Sequence, residues 1–153
     1  MKFRTTVGTA LAAAAGVLAM TAAPAMAAAP APAAATARVH SSISGGIYNS
    51  YASYRWAGVT VHKVHTKYMP VLAGVVSPNK RGERVVTEVQ VFFQGRWQTA
   101  LPAQSWVLNS SSQYGVQYIH AREGYVFRSE AIYNGDARAY ASSTGWKYWT
   151  VTA

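Results

Sequence analysis

The segment "ERVVTEVQVFF", residues 83–93, restricts the fold more than any other stretch of the chain. Val85, Thr87, Val89, Val91 and Phe93 fall on one side of an extended backbone, and Glu88 and Gln90 fall on the other. A period of two describes a strand with one dry and one wet face. Weaker strand signals recur at close intervals, divided by Gly, Pro, Asn and Ser. They are "GVTVHKV" (58–64), with Val59 and Val61 on one face, and "VLAGVV" (71–76), closed by the turn "SPNKRG". A tight hairpin at Gln94-Gly95 leads into a strand carrying Trp97, followed by "SWVLN" (105–109) and "YGVQYIH" (114–120). In "GYVFRSEAIY" (124–133), Tyr125, Phe127, Ser129, Ala131 and Tyr133 share a face, and "WKYWTVT" (146–152) follows. Helix signals are nearly absent. The pattern implies an all-β domain, a single antiparallel sandwich or barrel of seven to eight strands, and excludes a parallel sheet covered by helices.

The first residues belong to a different physical regime. Lys2 and Arg4 precede an apolar run, Val7 to Met20, and then Pro24 and the small residues Ala25-Met26-Ala27. That order is the charged, apolar and cleavage-site order of a secretory signal peptide, and the run is shorter than the about 20 residues a bilayer span needs. Cleavage is expected after Ala27, with Ala29 as the second choice. "AAAPAPAAATA" follows, in which alternating Ala and Pro disfavour helix and sheet, so it reads as an extended linker or a short propeptide. The expected organisation is a signal peptide at 1–27, an Ala/Pro-rich linker at 28–40 and a β-sandwich domain at 41–153. The expected location is secreted, with no transmembrane span in the mature chain.

The chain contains no cysteine, so neither disulfides nor thiol chemistry nor a lipoprotein attachment is available. Its net charge is +9, and once Lys2 and Arg4 go with the leader the remaining bases still outnumber the five acids by seven. Such an excess attracts anionic partners at long range. Outside a cell these are wall polymers, lipid head groups or acidic glycans. Export argues against nucleic acid.

"VLAGVVSPNKRGERVVTEVQVFFQGRWQT" (71–99) resembles the immunoglobulin-like β-sandwich modules of secreted actinobacterial proteins. A strand ending in a Pro-containing turn leads there to a basic "G-x-x-V" strand and a "G-x-W-x-T" hairpin. "GYVFRSEAIYNGDARAYASS" (124–143) resembles their later strand and Gly-Asp turn. The likeness spans residues 58 to 152. It implies an immunoglobulin-like fold and an extracellular setting, with no fixed activity. It further implies that Trp97 packs near the core edge behind the hairpin, and that Tyr125 ties the chain back at a corner. The cysteine pair of antibody domains is absent, and the pattern does not cover the aromatic segment at 48–56.

Candidate chemistry is sparse. "HKVH" (62–65) places its two histidines on opposite faces of a strand, so a metal pair there needs a bulge and a third ligand such as His120. No metal or other cofactor is expected. Glu88 and Glu130 are the carboxylates best placed for facing strands, and sugar hydrolysis needs such a pair at a defined separation. Each also reads as a solvent-face charge. Serine is abundant, but no Gly-x-Ser-x-Gly elbow occurs, and Asp136 in "NGD" is explained by turn chemistry. "NSS" (109–111) reads as a loop.

Aromatic residues are in surplus, with five Trp and ten Tyr. A domain of this size does not bury them all with their polar tips satisfied. In "YNSYASYRW" (48–56) an extended chain puts Tyr48, Tyr54 and Trp56 on one face, and Tyr51 and Arg55 on the other. The segment either lies over an open sheet edge or offers a stacking surface, with Tyr51, Tyr54, Arg55 and Trp56 as the candidate ligand-binding residues. In "WKYW" (146–149), Trp146 and Tyr148 share one face and Trp149 takes the other, so one set should be core. The favoured reading is a secreted, non-catalytic binding or structural module for an anionic cell-wall polymer or polysaccharide. The alternatives are a small secreted hydrolase using Glu88 or Glu130 with a histidine, and a protein-binding or inhibitor module using the loops at 77–84 and 109–113.

Overall fold

The computed structural model describes residues 37–153. The expected leader, its cleavage site and the linker up to residue 36 lie outside the described residues. Eleven strands follow one another: β1 (Ser42–Ile43), β2 (Gly46–Tyr48), β3 (Ser50–Trp56), β4 (Val59–His65), β5 (Val71–Ser77), β6 (Arg84–Phe93), β7 (Arg96–Val107), β8 (Gln113–Gln117), β9 (Val126–Tyr133), β10 (Ser142–Ser143) and β11 (Lys147–Thr152). The described residues are all-β apart from one 3-10 turn at Thr66–Tyr68. The count exceeds seven to eight because β1, β2 and β10 are two or three residues long, too short to show an alternation. Conversely, the expected short strand at 105–109 is the far end of β7, which runs through Pro102. Proline is tolerated there because β7 is the edge of its sheet and the missing N–H would face outward. No helix among the described residues is long and apolar enough to cross a membrane.

The larger sheet has the order β3-β4-β11-β9-β6-β7, with β10 continuing beside β9. Every ladder between named strands is antiparallel except one: β11 lies parallel to β4, with Trp149 beside His62 and Val151 beside Val64. The expectation of a purely antiparallel arrangement is corrected at that pair. In the smaller sheet β5 pairs with β1 and β2 along one edge and with β8 along the other.

Alternation decides which side of each strand is dry. On β6, Val85, Thr87 and Val89 are buried; on β9, Phe127, Ser129, Ala131 and Tyr133 are. The apolar ones among them share one cluster with Leu72, Val76, Tyr114, Val116 and Tyr118 from the smaller sheet and its continuation. Trp149 sits at the centre, stacked on Phe127 at 4.5 Å and on Tyr118 at 5.2 Å. Its indole N–H donates to Ser129 Oγ at 2.6 Å. The Tyr118 hydroxyl lies toward the same serine without reaching hydrogen-bond geometry, and burial pushes its pKa up to about 12. Tyr114 is also held from afar, its hydroxyl donating to Ser44 O at 2.9 Å. Tyr114 is thus one long-range tyrosine tie of this fold, whereas Tyr125 packs its ring against Phe93.

Residues 38–40, expected as the end of the linker, are tied to the domain. Val39 bridges Ala139, and the Arg38 guanidinium donates to Asp136 O. Asp136 anchors this corner: Oδ2 accepts from Lys80 Nζ at 2.8 Å and from the Tyr133 hydroxyl at 2.7 Å, and Oδ1 accepts from the Arg138 N–H at 2.6 Å. The lysine, then the tyrosine and the backbone N–H, hold the Asp136 carboxyl well below the usual carboxylate range. A depressed native pKa contributes stability that is present above the unfolded value of about 3.9 and is lost as pH falls below it. Asp136→Asn is thus expected to be less stable than wild type at pH 6, with the gap narrowing steadily below about pH 4. Urea midpoints measured from pH 6 to pH 2 check this, and a gap that stays constant over that range contradicts it.

Candidate functional site

The stretch "YNSYASYRW" does not run as one strand. Tyr48 ends β2 in the smaller sheet, where it pairs with Val71, and β3 begins two residues later in the larger sheet. Asn49 makes the crossing with a φ of 66°, and its side-chain amide donates to the carbonyls of Tyr68 and Met69 at 3.0 and 3.2 Å. Asparagine tolerates the left-handed region better than most residues. The expected common face of Tyr48 with Tyr54 and Trp56 is therefore broken at Asn49.

A second correction concerns Tyr51. The β3–β4 register slips between Ser50 and Ala52, leaving Tyr51 as the extra residue of a bulge. A bulge re-aims a side chain that strict alternation would send the other way. Tyr51 stacks on His65, with ring centroids 4.0 Å apart and planes 10° from parallel, and its hydroxyl pairs with Thr152 Oγ1 at 2.9 Å. His65 alternates with Lys63 and Val61, and Val61 is directly opposite Tyr54. Tyr51 thus joins the face of Tyr54 and Trp56. Arg55 stays on the other side. It donates to Thr60 Oγ1 at 3.1 Å and to the Gly58 carbonyl, which occupies it in bracing its own hairpin.

The face that carries Tyr54 and Trp56 is the one turned away from the shared core. One row across it reads Tyr54, Val61, Tyr148, Arg128 and Gln90. Trp56 touches Phe92 at 5.0 Å and Trp97 at 6.0 Å. By register Trp56 and Phe92 are four strand spacings and four residues apart, roughly 23 Å on a flat sheet, and Trp97 is one spacing further. Contact requires the sheet to be strongly twisted, so that this diagonal is concave. The hollow is filled by Trp56, Phe92, Trp97 and Tyr148, and the Arg128 guanidinium is wedged between Trp97 at 4.4 Å and Trp146 at 4.3 Å. Val61 is fully buried although it lies outside the main cluster. Trp56 and Trp97 are half-buried members of this second, smaller core, and Trp97 lies on the opposite side of the sheet from the main one.

What remains open to solvent is a strip at the edge of that face. Tyr51 and Tyr68 are 51% and 53% exposed, and His65 stands between them, 6.3 Å from the Tyr68 ring. Lys67 Nζ lies 4.7 Å over Tyr68, and Lys63 Nζ 5.3 Å over Tyr54. The nearby Glu123 accepts from Thr66 Oγ1 at 2.5 Å. The arrangement offers two accessible aromatic rings, an imidazole and two ammonium groups close together. Of the four residues singled out from sequence, it includes Tyr51 and Tyr54, takes Trp56 as support, and leaves out Arg55. Lys63, His65, Lys67 and Tyr68 went unrecognised as partners. A two-residue turn at Ala57-Gly58 fixes the β3–β4 pairing, and that arithmetic would have found Lys63.

The other candidates are placed as follows. His62 shares the row of Trp149 and Phe127 on the core side, so the two histidines of "HKVH" point to opposite faces. Glu88 and Glu130 are directly paired on neighbouring strands, on the face away from His62. No group of three His, Cys, Asp or Glu suited to a metal ion occurs among the described residues. The loops at 77–84 and 109–113 brace each other: Asn79 Nδ2 donates to Ser110 O at 3.1 Å, and the Lys80 N–H to Ser112 Oγ at 2.8 Å. No family model matches the chain, and no curated protein matches it.

Proposed function

We propose that the protein is a secreted, non-catalytic binding module with an immunoglobulin-like sandwich build, and that its ligand is an anionic cell-wall polymer or polysaccharide. The observation that carries this reading is the strip itself: two tyrosine rings more than half exposed, flanking His65, with Lys63 and Lys67 over the neighbouring rings. Sugar rings pack on such planes through their C–H faces, and hydroxyl and ammonium groups take the polar edges. The overall excess of base over acid supports an anionic polymer over a neutral one.

Co-sedimentation with insoluble cell wall and polysaccharides at low and high salt tests the reading. Binding should weaken with salt without vanishing, because stacking persists when charge is screened. The Tyr51→Ala/Tyr68→Ala double variant should bind at least about tenfold more weakly at both salt levels, a loss of about 1.4 kcal/mol or more. Its fold should be unchanged, since neither ring belongs to the main core. Unaltered binding by the double variant would show that the strip is not the site.

A further inference from the structure

We infer that the recess between the end of the β6–β7 hairpin and the segment joining β8 to β9 is a second binding site, one that takes a small ring-bearing oxyanion. The recess has a volume of about 350 Å³ and lies on the core-facing side of the sheet, so it is distinct from the tyrosine strip on the opposite face. That volume is at the lower end of ordinary ligand pockets and admits one substituted ring.

Two of its walls are aromatic. Phe93, 41% exposed, and Tyr125 stand 6.0 Å apart and tilted by 42°. Phe93 is the last residue before the tight Gln94-Gly95 turn, so an apolar ring is held at a hairpin tip. The third wall is polar. Arg122 and His120 approach from the opposite segment, and Gln98 closes one end, its amide N–H fixed on the Phe93 carbonyl at 3.2 Å. The lining contains no carboxylate, and the adjacent Glu123 is engaged by Thr66. His120 has a φ of 66°, a conformation that residues other than glycine adopt mainly where the surroundings demand it.

These walls define the ligand by its chemistry. A guanidinium presents a fork that matches a carboxylate or a phosphate, and the histidine beside it adds a second donor. The aromatic walls take a planar or cyclic apolar body. A neutral ring would leave Arg122 without a counter-charge in the recess, and a bare inorganic anion would leave Phe93 and Tyr125 in water. A molecule carrying both parts satisfies all three walls.

Titration of the 15N-labelled protein with phenyl phosphate, benzoate, inorganic phosphate and benzyl alcohol, read by amide shifts, tests the proposal. Phenyl phosphate or benzoate should shift Gln98 and residues 120–125 saturably, and whichever binds more tightly names the oxyanion. Inorganic phosphate and benzyl alcohol should bind at least about tenfold more weakly. Arg122→Gln and Phe93→Ala, both at exposed positions, should each lower affinity by about tenfold while the remaining spectrum stays in place. Equal affinity for inorganic phosphate, unchanged affinity in Arg122→Gln, or shifts that map elsewhere would overturn the proposal.

Discussion

Trp149→Ala is expected to destabilise the protein by about 4 kcal/mol, the middle of the range for removing a buried tryptophan. Three separate losses add up at this residue. Its 1% exposure means that nearly the whole side chain is withdrawn from water, so truncation leaves a cavity. The stacks on Phe127 and Tyr118 disappear, and the second of these holds the larger sheet to the continuation of the smaller one. Ser129 Oγ also loses the indole N–H in a fully buried setting, next to the Tyr118 hydroxyl that already lacks a partner. A domain with a total stability of about 5–15 kcal/mol would be left marginal. Trp149→Phe separates the contributions: it keeps much of the packing and forfeits the hydrogen bond, at a cost of about 2 kcal/mol. Urea unfolding of both variants gives the answer, and a loss below about 1 kcal/mol for Trp149→Ala would mean that the core rearranges around the gap.

The second large effect is predicted at a residue with no side chain. Gly74 lies in the middle of β5, and the short link between β1 and β2 passes directly over it. A Cβ there would fall on the Ser44 carbonyl oxygen and within 2.7 Å of its carbon. That carbonyl is not free to move. It accepts from the Tyr114 hydroxyl at 2.9 Å, and the Ser44 N–H is bonded to Val75 O at 3.0 Å. Gly74→Ala should therefore cost about 3 kcal/mol, at the upper end of what overpacking produces. Gly115→Ala on the neighbouring strand is the control, because a Cβ there meets nothing closer than Ala73 Cβ at 3.8 Å. It should change stability by less than about 0.5 kcal/mol. Thermal melts of the two variants side by side test the contrast, and equal melting temperatures would refute the close approach.

Where a segment obeys one local rule, the chain's fold can be read from its residues. The buried faces of β6 and β9 follow from simple alternation, the Gln94-Gly95 hairpin from turn chemistry, and the separation of Trp149 from Trp146 and Tyr148 onto opposite faces from their parity, although parity leaves open which face is core. Reading fails where a single residue redirects the strand. Asn49 moves the chain between sheets, and the bulge at Tyr51 turns a ring onto the face it would otherwise leave. Both are events of one residue, invisible to any pattern averaged over several. The meeting of Trp56 with Phe92 is hidden for a different reason. It depends on twist summed over several strands, and neither residue's neighbours in sequence bear on it. Lys63 and His65 joined the strip through pairing with β3, so they belonged to an arithmetic of hairpins and not to a motif.

The position of β11 has a consequence for the order of events in folding. It lies between β4 and β9, yet it follows every other strand in the chain. Until it is in place, β3 and β4 form an isolated hairpin, while β9, β6 and β7 form a separate piece with no ladder to it. Both the main core and the aromatic hollow lack members, Trp149 and Tyr148 among them. Without β11 the larger sheet is therefore two pieces with no ladder between them, and the closing step is a single insertion that pairs distant residues on both sides at once. Such closure must bring together segments far apart in sequence before any contact repays the lost chain entropy, which makes it slow and cooperative. The strand that joins the two pieces is thus the one with the greatest sequence separation from its β4 neighbour to overcome.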